Sequence, residues 1–191
     1  MSSRTSNIEG EHIRLESFAE EHLHDARYLS WLRDYEVMKM IGRDEYIEKK
    51  IEFPEVKDYV ENLWKNNNIH FFALVHREND LFIGTVKINI QNPRTKEADI
   101  GIMIGERKYW GRGIATDAVK TVCKYCFDSL GLRRLVAGCM SANAGMRKVF
   151  ERAGFVQEGL FRQKDLLEGE YIDHVYFSCL AGELDSTRYK K

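Results

Sequence analysis

Residues 11–17 alternate, with Ile13 and Leu15 on one side and polar neighbours on the other, which is the period of a half-buried strand. Past Ser17 the spacing becomes helical, with Leu23, Ala26, Leu29, Trp31 and Leu32 as its apolar positions, and a second short helix holds Val37, Met38 and Ile41. Pro54, at home in a first helical turn, opens a further helix whose stripe is Val56, Tyr59, Val60, Leu63 and Trp64. The β-rich runs 70–77 and 81–91 flank the turn Glu78-Asn79-Asp80 and predict a hairpin, and 97–105 adds another strand. From Gly113 to Leu130 the apolar positions, from Ile114 and Ala118 through Val122 to Phe127, form one wide stripe, with Gly131 at the capping position. A strand over 132–140, a helix over 144–153 closed by Gly154, and a hairpin turning at Glu168-Gly169 complete the chain. Hairpins and crossovers mix in this order, which predicts an α/β (α+β) fold with a mixed sheet rather than a strict strand–helix alternation.

A chain of 191 residues suits a single domain, 1–191, with one hydrophobic core. Lys and Arg number 29 against 30 Asp and Glu, so the formal charge of −1 argues against binding nucleic-acid phosphates or an anionic membrane. No apolar run approaches the ~20 residues that span a bilayer, and MSSRTSNIEGEH lacks the apolar core of a secretion signal, so a cytoplasmic location is expected. Cys123 and Cys126 form a CxxC, but no second Cys/His pair stands at ligand spacing. With Cys139 and Cys179 they are read as small buried hydrophobes, and no metal is expected.

The candidate chemistry lies between the strand at 97–105 and the long helix. In Lys108-Tyr109-Trp110-Gly111-Arg112-Gly113 two glycines flank an arginine just before Ile114-Ala115-Thr116. Such a loop can curl without a Cβ penalty and present the N–H groups of residues 112–115 at the positive end of a helix, an anion site suited to a phosphate or pyrophosphate. Arg107, Lys108 and Arg112 add positive charge. A plain β–α turn is the competing reading. A dinucleotide fingerprint would need glycine at Thr116, and the Gly-Lys-Ser/Thr of a P-loop is missing.

This stretch resembles the acyl-coenzyme A loop of the GNAT N-acetyltransferases, whose pattern is Arg/Gln-x-x-Gly-x-Gly/Ala, with Lys108 in place of the Arg/Gln. Downstream, Asn143, Gly154-Phe155, Glu158-Gly159, Arg162, Gly169 and Asp173 resemble the ribosomal-protein N-terminal alanine acetyltransferase branch. Upstream, Trp31-Leu32-Arg33-Asp34 and Val37-Met38 are similar both to that branch and to acetyltransferases of amino-sugar nucleotides. The match spans nearly the whole chain. It implies a partly splayed mixed sheet of about seven strands flanked by helices. It also implies acetyl transfer from acetyl-CoA to a primary amine through a tetrahedral intermediate, the amine being a protein N-terminus or a small molecule, by a monomer or homodimer. A catalytically weak CoA-binding sensor is the reading from another class.

The resemblance also distributes roles. The main chain of Ile102 and Ile104 would bond the pantetheine, residues 111–116 would take the pyrophosphate, and Asn143 would bond the pantetheine or simply cap a helix. Arg152 would reach the adenosine phosphate or stay solvated. A backbone N–H from about Met103 or Ile104 would polarise the thioester carbonyl, and Asp99, with Glu97 second, would be the base. Arg43, Tyr46, Asp165, Asp173 and His174 are candidates for the acceptor side, although His174, on an apolar run, fits a core histidine as well. The positions where relatives carry an acid hold Met146 and Phe150, which donate no useful proton, so either the thiolate leaves unassisted or water, Ser141, Cys139 or a tyrosine donates.

Overall fold

The computed structural model describes residues 7–42 and 45–184. Its strands are β1 (Ile8–Glu9), β2 (Ile13–Ser17), β3 (Ile69–His76), β4 (Leu81–Asn92), β5 (Glu97–Ile104), β6 (Arg134–Met140), β7 (Val156–Leu167) and β8 (Glu170–Leu180). Five helices, α1 (Glu20–Leu23), α2 (Ala26–Leu32), α3 (Tyr35–Met38), α4 (Glu45–Glu48) and α5 (Phe53–Lys65), fall between β2 and β3. Helix α6 (Ile114–Lys124) links β5 to β6, and α7 (Ala144–Arg152) links β6 to β7.

The strands form one sheet in the order β1-β2-β3-β4-β5-β6-β8-β7. All neighbours are antiparallel except β5 and β6, which the α6 crossover makes parallel. That pair is brief, covering Glu97↔Arg134, Ala98↔Leu135 and Asp99↔Val136. Beyond it β5 stays on β4 as far as Gly84↔Ile104, while β6 stays on β8 as far as Met140↔His174. The sheet therefore divides after Asp99. Arg134 fastens the closed end, bonding Glu97 on β5 at 2.8 Å and Glu158 on β7 at 3.0 Å.

Alternation along the strands feeds two cores. Phe72 and Leu74 join Ile13, Leu15, Ile88, Leu135 and Phe177 beneath the α6 stripe of Ala118, Val119, Val122 and Cys123. Ala73, Phe82 and Met103 face the other way, into Phe18, Leu23, Tyr28, Trp31, Val56 and Val60. All four cysteines are buried and unbridged, as their reading as small hydrophobes requires. Trp31 lies flat on Gly105, where a Cβ would stand 2.0 Å from the indole, and so anchors the end of β5.

The mixed, splayed sheet agrees with the expected class. It has eight strands rather than seven because Ile8–Glu9 adds a short edge. The single helix expected after Ser17 is two helices, because Asp25 accepts from Arg27 N at 2.9 Å and starts α2 afresh. The long helix past Gly113 ends in a π turn over Tyr125–Ser129. The strand expected over 11–17, β2, begins at Ile13, since the preceding turn is held by Asp117 of α6, whose carboxylate accepts from the N–H of Glu11 (3.0 Å), His12 (2.7 Å) and Ile13 (3.1 Å). Asp117→Ala strands three donors, and at roughly 1–3 kcal/mol for such bonds we expect about 2 kcal/mol of lost stability, read by thermal or urea unfolding. Unfolding at the wild-type midpoint would refute that anchoring role.

Candidate active site

Gly111 and Gly113 both have left-handed backbones, with φ of 72° and 82°, and a Cβ built on either meets nothing within 4 Å. Gly113 is the N-cap of α6, so the first N–H groups of the helix are bare at its positive end. The loop borders a cavity of about 360 Å³ lined by Ile102, Met103, Ile104, Gly111, Gly113, Ile114, Ala115, Thr116, Asn143 and Arg152 among others. Every one of those ten had been expected from the sequence to contact the acyl donor. The cavity also takes in Glu36, Val37, Met40 and Lys148, which sequence reasoning missed. Lys148 stands four residues before Arg152 on α7, a helical spacing that could have paired the two.

Three basic residues sit differently from expectation. Arg107 pairs with Asp34 at 3.6 Å, its guanidinium 5.7 Å from the Trp110 ring centroid, and Lys108 pairs with Glu106 at 3.7 Å. These two and the exposed Arg112 lie beside the loop rather than in the cavity lining, so the two cations on its wall are Lys148 and Arg152 of α7.

Strand geometry decides which amides face the opening between β5 and β6. Gly105 N donates to Ile83 O on β4 (2.9 Å), and Lys96 O accepts from Arg133 N ahead of β6 (2.9 Å). Alternation then turns the main chain of Met103 to β4, opposite Thr85, and that of Ile102 and Ile104 to the gap. Of the two amides expected to polarise the carbonyl, that of Met103 belongs to the β4 ladder and that of Ile104 faces the gap. The Met103 side chain instead forms part of the cavity wall. The Ile104 carbonyl is itself engaged, accepting from Trp110 Nε1 at 2.8 Å, which leaves its N–H for a ligand.

A second cavity, of about 500 Å³, opens on the opposite sheet face. Tyr28, Tyr46, Tyr59, Phe71 and Tyr176 give it an aromatic wall, and Asp99, Asp165, His174 and Lys87 bring charge. Both cavities share Met40, Ile41, Ile102, Met103, Asn143 and Met146, so they meet at the split. None of these six side chains carries an acidic proton. Burial pushes the Asp99 carboxyl above the usual carboxylate range, opposed by Lys87, His174 and Lys164. Among the described residues no hydrogen-bond donor reaches that carboxylate.

Other expectations divide. Tyr46 lines the second cavity, whereas Arg43 lies outside the described residues. Asp173 is corrected from substrate contact to scaffold, its Oδ1 accepting from Gln163 N at 2.9 Å and its carbonyl from Ser141 N at 2.8 Å. Glu97 is consumed by Arg134 and so is unsuited to be a base. Asn143 caps α7 by accepting from Met146 N at 3.0 Å while still lining both cavities. Phe150 is core, 2% exposed. Cys139 reaches the second cavity, but burial pushes its thiol up to about 11, too weak an acid for a departing thiolate. Among the described residues Glu16, Glu21 and His22 lie close enough to share a metal ion. They border neither cavity, and Arg14 already bonds Glu16.

A cavity that enters a split sheet from a glycine-turned helix start and meets an aromatic, acid-bearing pocket fits an acyl-transfer enzyme. The model of the Acetyltransferase (GNAT) domain matches residues 12–156, and the chain belongs to that family. It is 33% identical over 147 residues to the probable N-acetyltransferase YjcK of Bacillus subtilis, covering 76% of this chain and 80% of that one. It is also 32% identical over 100 residues to a ribosomal-protein-serine acetyltransferase of Escherichia coli, covering 52% and 55%. Its fold matches that of Vibrio cholerae spermidine N-acetyltransferase, solved with CoA and spermine, at a TM-score of 0.80 and 19% identity over 90% and 97% of the two chains. The protein is an acetyl-CoA-dependent N-acetyltransferase acting on amines, with acetyl-CoA as the acyl donor. Among the described residues no helix is long and apolar enough to cross a membrane.

Proposed function

We propose that this enzyme acetylates α-amino groups, with the N-terminus of a protein or peptide as acceptor. The observation that carries the reading is Asp99, a half-buried carboxylate with no bonded partner among the described residues, on the wall of an aromatic pocket that meets the first cavity. Such a pocket attracts an ammonium group by charge and by its aromatic rings. An α-amine titrates near ~8 and needs little help to become neutral, whereas a lysine amine near ~10.4 needs more. The similarity to a ribosomal-protein-serine acetyltransferase supports the same acceptor class.

The roles follow from placement. The N–H groups at residues 113–116 hold the pyrophosphate, and Lys148 and Arg152 its neighbouring phosphate. The gap-facing amides of Ile102 and Ile104 align the pantetheine arm and polarise the thioester carbonyl. Asn143 caps α7 and borders the arm at once. Asp99 holds the ammonium and takes its first proton.

Thiol release from acetyl-CoA, measured with short peptides, free amino acids, polyamines and amino-sugar nucleotides, tests the reading. Turnover should be greatest with peptides bearing a free N-terminus and absent when that N-terminus is blocked. Preference for a polyamine or an amino sugar would move the acceptor class. CoA binding without release from any amine would favour a sensor.

A further inference from the structure

Acetylation removes two protons from the acceptor nitrogen, since R–NH₃⁺ ends as an amide N–H. The nitrogen lone pair forms the N–C bond, and the C–S pair departs on sulfur. Sulfur then takes up one proton, and the other reaches solvent. Asp99 accounts for one acceptor. No side chain at the junction of the two cavities accounts for the second, nor for the acid that sulfur needs, because Met40, Ile41, Ile102, Met103, Asn143 and Met146 hold none to give.

On the same sheet face stands a pair that the reaction has not yet used. Asp165 Oδ2 lies 2.6 Å from His174 Nδ1, and the two side chains are only 17% and 19% exposed. A carboxylate only accepts, so the proton between them sits on Nδ1, and in the neutral ring Nε2 then holds the lone pair. Nε2 lies over Gly138 of β6, where any Cβ would stand 2.3 Å away, so the glycine makes room for the ring. Both residues line the acceptor cavity together with Asp99. Lys87 and Cys139 line the same cavity, Arg147 acts on Cys139, and Lys164 of β7 and Tyr176 of β8 flank the pair, bonded to each other.

We infer that His174 is a catalytic residue that takes the second proton from the acceptor nitrogen on Nε2 once the N–C bond has formed, then returns it to the departing sulfur, with Asp165 as its positioning residue. This rests on the α-amine reading above only in requiring an amine acceptor. One imidazole thereby serves as base and acid in turn, and fills the gap left at positions 146 and 150.

The test uses the full chain with His174→Ala, His174→Gln and Asp165→Asn, an accepted amine, and direct measurement of acetyl-CoA binding. His174→Ala should lower kcat about 100-fold, the lower end for general acid–base catalysis. Acetyl-CoA affinity should stay within about twofold, and added imidazole should restore at least about tenfold of the lost rate. Asp165→Asn should lower kcat by about tenfold. Imidazole ¹⁵N spectra of the wild type should show a protonated Nδ1 and a bare Nε2, and Asp165→Asn should disturb that tautomer. Wild-type kcat in either His174 variant, a loss that imidazole does not rescue, or a proton on Nε2 with Nδ1 bare would overturn the assignment. Should the alanine variant fail to fold, the glutamine variant and the wild-type spectrum still decide. A wild type that acetylates no amine overturns the functional reading itself, whatever the spectra show.

Discussion

Gly113→Val is expected to weaken acetyl-CoA binding by one to two orders of magnitude while the fold stays intact. The residue caps α6 with φ 82° and ψ −11°, a conformation that a β-branched side chain reaches only at a cost of about 1–3 kcal/mol. Nothing within 4 Å would collide with the new Cβ, so the damage falls on the backbone and not on the core. The chain escapes the strain by rotating φ to negative values, and that swings the N–H groups of Ile114, Ala115 and Thr116 off their common focus. Gly131→Val is the matched control, with φ 61° and open space around it but no place on the cavity wall. Calorimetric titration with CoA should separate the two variants: both lose some stability and Gly113→Val alone loses affinity. Equal affinities would remove the diphosphate from this loop.

Asp99→Asn should lower kcat by about 100-fold or more and raise the acceptor's KM, with acetyl-CoA affinity unchanged. The sign of the pH effect follows from burial. Desolvation raises the carboxyl, Lys87 and Lys164 pull it down, as does His174 whenever its ring is protonated, and the net direction is upward. The group works only when ionised, so at saturating substrate the wild-type rate falls as pH drops through that raised value. Asparagine abolishes this acid limb and leaves the titration of the acceptor amine, near ~8 for an α-amine. A variant that keeps the limb would make Asp99 a wall residue.

What the chain revealed before folding was local. The run from Ile102 to Thr116 is contiguous, and a strand, a glycine turn and a helix start fix one another within fifteen residues. The lining of the cavity beside the glycine turn was therefore legible almost residue by residue. The acceptor side comes from distant segments, and periodicity is blind to it. Asp165 reaches His174 only because the β7–β8 pairing slips between Phe161 and Asp165, and Asp173 steadies that slip by accepting from Gln163 N, a residue at φ 52°. A bulge of that kind leaves no mark in alternating polarity, which is why His174 reads as a core residue and Asp173 as a ligand. The ion pairs that tame Arg107 and Lys108 bring in Asp34, the N-cap of α3, and Glu106 from beside the loop, contacts that counting basic residues does not anticipate.

Arg134 pins the fork of the sheet, and beyond it Ile100 to Ile104 run unzipped from their parallel neighbour for about 17 Å. The mouth is thus open before any guest arrives. No ladder has to be torn for an amide-bearing chain to slide in; it displaces water from lips that were never joined. On the roles proposed above, entry is a swap of solvent for a surrogate strand, and the protein seizes and releases its carrier without rebuilding itself at each turnover.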